Sequence, residues 1–134
     1  MTAPAVRLTF PLPSIKHSKN HRAGWQERRR LWAQGRDTAI ILIRDQYPGI
    51  SPDEPLLTTP VRVHLEWRFA RGRQPDFDNA VARVAHLLDA LHHTGILADD
   101  QLVQAMEFDF ERVKSGDEGL VMTIRAIKRW KAAA

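Results

Sequence analysis

Cysteine is absent from this 134-residue chain. That excludes a disulfide framework and any zinc site built on thiolates. It fits a reducing compartment, and a cytoplasmic location is the expectation. No apolar run approaches the ~20 residues of a membrane helix, so no membrane association is expected. Met1-Thr2-Ala3-Pro4 lacks the basic region and long apolar run of a signal peptide. Internal repeats and low-complexity tracts are missing too. Lysine is scarce: five lysines stand beside fifteen arginines. Basic residues still outnumber acidic ones, 20 to 16, and the pI is near 10.0. Arginine's planar fork suits bidentate phosphate contacts. Composition alone describes an ordinary basic protein equally well. Hydrophobic residues make up 43% of the chain, enough for a core, and the length predicts one domain, 1–134.

Val6-Arg7-Leu8-Thr9-Phe10 alternates apolar and polar and predicts a first strand, closed by Pro11-Leu12-Pro13-Ser14. Residues 15–24 are a polar, basic loop, read either as a phosphate-contacting arm or as a solvated connector. Residues 25–47 predict a long helix, with Trp32, Ala39, Ile43 and Tyr47 at helical spacing. Arg28-Arg29-Arg30 points in three directions around that helix, and a solvated face is the expectation. Pro48-Gly49 stops it. Val61, Val63, Leu65, Trp67 and Phe69 alternate with Arg62, His64, Glu66 and Arg68, the clearest strand in the chain. A second helix follows, with Val81, Val84, Ala85, Leu88 and Leu91 inward. Its opposite stripe carries Asp78, Ala82, His86, Asp89 and His93. His64 and the adjacent His92 and His93 are expected at the surface. From Val103, Met106, Phe108 and Phe110 alternate with acids. After a turn at 115–119, Leu120, Met122 and Ile124 alternate again, which predicts a hairpin. Lys128-Arg129-Trp130-Lys131 forms a basic tail. The order β-α-β-α-β-β predicts an α+β domain, a mixed sheet packed with two main helices.

One stretch reads as chemistry. Gln74-Pro75-Asp76-Phe77-Asp78-Asn79 opens the second helix, and Gly95-Ile96-Leu97-Ala98-Asp99-Asp100 follows it. In an extended segment Asp76 and Asp78 face the same side and can share one ion. Of Asp99 and Asp100, only one is expected to join them. Crowded carboxylates favour a hard cation such as Mg²⁺, which takes oxygen ligands and keeps several waters. An EF-hand fits poorly, because Ala80 and Val81 stand where a ligand and the sharp-turn glycine belong. A bare Asp-x-Asp is also a common helix N-cap.

Pro75-Asp76-x-Asp78-Asn79, Asp89-Ala90-Leu91, Gly95 and Asp99-Asp100, in that order, resemble the RusA family of Holliday junction resolvases. The opening Phe10-Pro11-Leu12-Pro13-Ser14 and its polar loop resemble it as well. The resemblance implies a homodimeric, Mg²⁺-dependent endonuclease that cuts four-way DNA junctions symmetrically during recombination and repair. It places the metal-binding and catalytic acids on Asp76, Asp78 and Asp100. Two departures stand out. The family lysine four residues after the second acid is Ala82 here, and the segment between the acids is longer by about one helical turn. Arg83 or His86 is the candidate replacement for that lysine. Arg71 and Arg73, then Lys16, Lys19 and Arg22, are the candidate DNA-phosphate contacts. Two other readings compete: a branched-DNA-binding protein without catalysis, and a small domain whose acids only cap a helix.

Overall fold

A computed structural model describes residues 5–19 and 21–127. The basic tail 128–131 lies outside the described residues. The elements are β1 (Ala5–Phe10), α1 (Trp25–Gln46), β2 (Val61–Phe69), α2 (Phe77–Thr94), β3 (Val103–Arg112) and β4 (Gly119–Ala126). Single 3₁₀ turns sit at Ile15–His17 and Asp100–Leu102. The fold is α+β, with one mixed four-stranded sheet and two main helices.

Alternation decides which way the sheet faces. Val61, Val63, Leu65, Trp67 and Phe69 of β2 are buried, together with Val6, Leu8 and Phe10 of β1 and Leu120, Met122 and Ile124 of β4. Val84, Leu87, Leu91, Ala39 and Ile43 of the helices join the same cluster. The other face carries cross-strand ion pairs: Arg62 with Glu107 at 3.3 Å and His64 with Asp109 at 2.6 Å. One face dry and one face wet is what a period of two produces.

The strand order is β1-β4-β2-β3. β3 runs parallel to β2, with Val61 opposite Val103 and Phe69 opposite Arg112. β4 runs antiparallel to both β1 and β2. The expected β3–β4 hairpin therefore does not form. The chain between them steps across the end of β2, and β4 enters the sheet on its far side. Three physical reasons account for this. β4 is the more apolar strand, with Leu120, Val121, Met122 and Ile124 all buried, so it gains most from a central place. β3 carries Glu107, Asp109 and Glu111, and charge on an edge strand blocks pairing with another sheet. A two-residue turn signal such as Asn-Gly is also missing between them. At the opposite edge, α1 covers β1. Tyr47 Oη accepts from Arg7 N at 3.0 Å, and the Gln46 side chain both accepts from Thr9 N and donates to Thr9 O at 2.8 Å.

The helices depart from expectation on one face each. α1 lies along α2, and Arg36 meets Asp89 while Trp32 meets the His86 ring edge-on. This contact covers the stripe of α2 that patterning assigned to solvent. His86 is therefore buried, at 4% exposure. Gly35 permits the approach, since a Cβ there would come within 2.7 Å of His86 Cδ2. Trp32 is correspondingly 38% exposed, whereas Ala39 and Ile43 on the same stripe are buried. The first half of α1 meets α2 and the 15–19 loop rather than the sheet.

Gly95 ends α2 in a left-handed conformation, φ 91°. A Cβ there would lie 2.2 Å from Ser51 O. Its carbonyl accepts from Leu56 N at 2.9 Å and leads into the Leu57–Leu97 bridge. Both the dihedral and the space demand glycine. Gly95→Ala is expected to destabilise the protein by about 2 kcal/mol or more. Urea unfolding of variant and wild type measures this directly.

Candidate acidic site at the start of the second helix

β2 ends at Phe69, and the chain turns through Gly72, φ 78°. Arg112 of β3 holds this turn, donating to Ala70 O and Gly72 O at 3.4 and 3.1 Å while lying over the Phe69 ring. Arg71 and Arg73 project from it, exposed. Pro75 keeps the preceding residue extended. Asp76 then occupies the N-cap, and its carbonyl accepts the first helical bond from Ala80 N at 2.9 Å. Its carboxylate makes no capping hydrogen bond. The side chain is thus exposed and not committed to starting the helix, which weighs against the reading of the acids as caps.

Asp78 sits in the first turn of α2, where the helix dipole favours negative charge. It is exposed, and its carboxylate is held by the Lys19 ammonium and by Asn79 N, the latter at 3.0 Å. The hydrogen bond from Lys19 is the main reason that its pKa lies below the usual carboxylate range. The neighbouring contact is Ser18 Oγ donating to Asn79 Oδ1 at 3.1 Å. Two consecutive loop residues therefore dock on the first turn of α2. Arg28 of α1 steadies them from behind, donating to the carbonyls of Lys19 and His21. A groove of about 280 Å³ opens here, lined by Lys16, Lys19, Arg28, Trp32, Ala82 and Ala85 among others. Ala82 thus faces the loop lysines across open space.

Neither candidate for the missing lysine reaches this carboxylate in the described contacts. Arg83 donates to Pro13 O, and its guanidinium lies 4.8 Å from the Trp67 ring centroid. Burial lowers its pKa, and its Nε is buried without a hydrogen-bond partner. His86 stacks on His17, ring centroids 4.1 Å apart, and its Nδ1 is likewise buried without a partner. Both side chains pin the 11–17 segment to the helices. The pairing of Lys19 with Asp78 spans 59 positions. The basic loop marked Lys19 as a phosphate contact, but nothing local named its partner.

The second acidic group lies elsewhere. Asp99 caps the short 3₁₀ turn, accepting from Gln101 N at 2.9 Å, and this bond is the first cause of its lowered pKa. Asp100 beside it is exposed. α2 separates both from Asp76 by 18 residues, ~27 Å of helix. The sheet reports the same separation. Asp76 follows the end of β2, whereas Asp100 precedes Val103, which pairs with the start of β2. One chain therefore does not bring Asp100 to Asp76 and Asp78. Among the described residues no three His, Asp or Glu side chains gather around a common point. The chemistry of Asp76 and Asp78 still suits a hard cation. Both are exposed oxygen donors, Asp78 is kept ionised, and Mg²⁺ commonly takes one or two protein carboxylates with waters and substrate phosphates.

The remaining polar residues have ordinary duties. Asp89 pairs with Arg36 at 3.7 Å and with His93 at 3.6 Å. His92, His93, Lys16 and Arg22 are exposed. No protein-family model matches this chain, and no curated protein matches it.

His86 gives a sharp pH expectation. Burial, then the neighbouring His17, lower its pKa to about 4, against ~6.5 in an unfolded chain. The unfolded state gains a proton that the folded state refuses. Stability is therefore full above pH ~6.5 and falls as pH drops toward 4, by on the order of 2 kcal/mol. Urea midpoints between pH 7.5 and 4.5 should fall more steeply for wild type than for His86→Leu.

Proposed function

We propose that this chain is a Mg²⁺-dependent endonuclease acting on branched DNA, with the four-way junction as its substrate. The observation that carries this reading is the pair Asp76 and Asp78 at the start of α2. They are exposed, free of capping duty at Asp76, and joined by a lysine from a separate loop. The resemblance to RusA-type resolvases names the same two acids. Bound to them, Mg²⁺ supplies Lewis-acid stabilisation of the charge that develops on the phosphodiester. The protein's own part is to hold the phosphate and balance its charge. Arg71 and Arg73 flank the acids on the β2 side and Lys16 and Arg22 on the loop side, all suited to phosphate oxygens.

Lys19, rather than Arg83 or His86, is assigned the cationic role of the lysine absent at 82. Its ammonium is on Asp78, and the side chain of Ala82 leaves it room. A phosphate arriving at Asp78 meets that ammonium at once.

The length of α2, ~27 Å, bears on the dimer. Two copies related by a two-fold axis, with their α2 helices antiparallel, place the start of one helix beside the end of the other. Asp100 of one copy can then complete the Asp76–Asp78 site of its mate, and the symmetry supplies two such sites. Symmetric cleavage of opposite strands follows from that arrangement. A second reading, branched-DNA binding without catalysis, is favoured by Ala82 alone.

A synthetic four-way junction incubated with and without Mg²⁺ tests the enzyme reading. Paired nicks in opposite strands are expected, and binding without any Mg²⁺-dependent product would leave the second reading. Lys19→Ala should lower the cleavage rate by about 10²-fold, with Arg83→Ala and His86→Ala close to wild type once corrected for folded fraction. Asp76→Asn and Asp100→Asn should each be inactive. Mixed together, they should recover nicking, because one of the two shared sites in a heterodimer is then intact. No recovery from the mixture would place all three acids in one chain.

A further inference from the structure

A stripe of α1 that runs from exposed Trp25 to the margin of its contact with α2 has no part in the scheme above. Trp25, Arg29, Trp32 and Arg36 fall within about 60° of one another around the helix. Trp25 is 65% exposed and Trp32 38%. With Arg28 and Ala33 they line an open groove of about 590 Å³. The Arg29 guanidinium lies over the Trp25 ring, 5.5 Å from its centroid. Two exposed indoles on one stripe are a costly surface to leave uncovered.

Charge decides what fits it. Arg36 is balanced by Asp37 and Asp89, and Arg30 by Glu27. Among the described residues, Arg28 and Arg29 are in no ion pair. Arg28 is spent on carbonyls, Arg29 on an aromatic face. A second copy of the stripe laid against this one would oppose arginine with arginine. A membrane-type apolar face would not be studded with guanidinium groups at this density. Interleaved indoles and unpaired arginines match a polyanion that carries flat apolar rings, which is a nucleic-acid strand with its bases unpaired.

Placement extends the match. The groove shares Arg28 and Trp32 with the groove that contains Lys19 and Ala82. The two form one track, running from Trp25 to the ammonium on Asp78. We infer that the Trp25–Trp32 stripe of α1 stacks unpaired bases of a DNA strand whose backbone leads into the acidic site. The indoles take base faces, and Arg28 and Arg29 take the phosphates between them. A branched junction offers such bases where pairing is frayed at the crossover. The destination of the strand rests on the endonuclease reading, while the stacking itself does not.

The test is done in EDTA, so that no cleavage enters it. An oligothymidine of about ten nucleotides and an oligomer with equal phosphates but no bases are titrated, with tryptophan fluorescence as the readout. Oligothymidine should quench wild type and bind about tenfold more tightly than the baseless oligomer. Trp25→Ala, at an exposed position that tolerates truncation, should lose about tenfold in affinity for oligothymidine and change little toward the baseless oligomer. Arg29→Ala should weaken both. Equal binding of the two oligomers by wild type overturns the proposal, as does undiminished oligothymidine binding by Trp25→Ala. Sedimentation showing a wild-type dimer that Trp25→Ala reduces to monomer overturns it in favour of a second copy. Base-dependent binding in a protein that cuts no junction removes only the endonuclease reading.

Discussion

The burial of one face of β2 organises this protein. Its five inward side chains are all nearly inaccessible, and they share one core with the buried face of α2. Because β3 pairs with β2 in parallel, the chain must return to the start of β2 before β3 begins. α2 makes that return. An 18-residue helix is thereby stretched from one end of the sheet to the other. The acids before it and after it are held at opposite ends by the same packing that stabilises the core.

Packing between the helices has an equally direct consequence for the polar groups. Once α1 lies on α2, His86 can stay only as a neutral ring, stacked between His17 and the Trp32 edge. Arg83 turns toward Pro13 and Trp67. Both residues become ties between the helices and the N-terminal segment. That leaves the acids' end of the molecule to the loop, and Lys19 reaches it because Ser18 and Arg28 fix the loop on either side. The electrostatic character of the site is thus a by-product of how two helices and one loop pack.

Much of this was legible in the chain itself. The period-two alternation of 61–69 named the buried strand and its wet face. Proline at 75 and glycine at 95 bounded α2 closely, since each has a local backbone reason to be there. The spacing of Asp76 and Asp78 marked the candidate site, and the basic loop was already suspected of meeting phosphate. The β3–β4 pairing was not legible, because alternation tells which face is buried and says nothing of which neighbour a strand chooses. His86 was placed on the polar stripe as a candidate for the missing lysine, because helical spacing describes one helix and ignores what lies across from it.

The sequence by itself determined the class of fold, the element boundaries, and where acidic and basic side chains stand along the chain. These follow from steric and hydrophobic preferences that act over a few residues. Only the tertiary structure decided that β2 lies between β3 and β4, that α2 divides the acids, and that Lys19 meets Asp78. Those are relations between segments tens of residues apart, settled by which surfaces bury the most apolar area together.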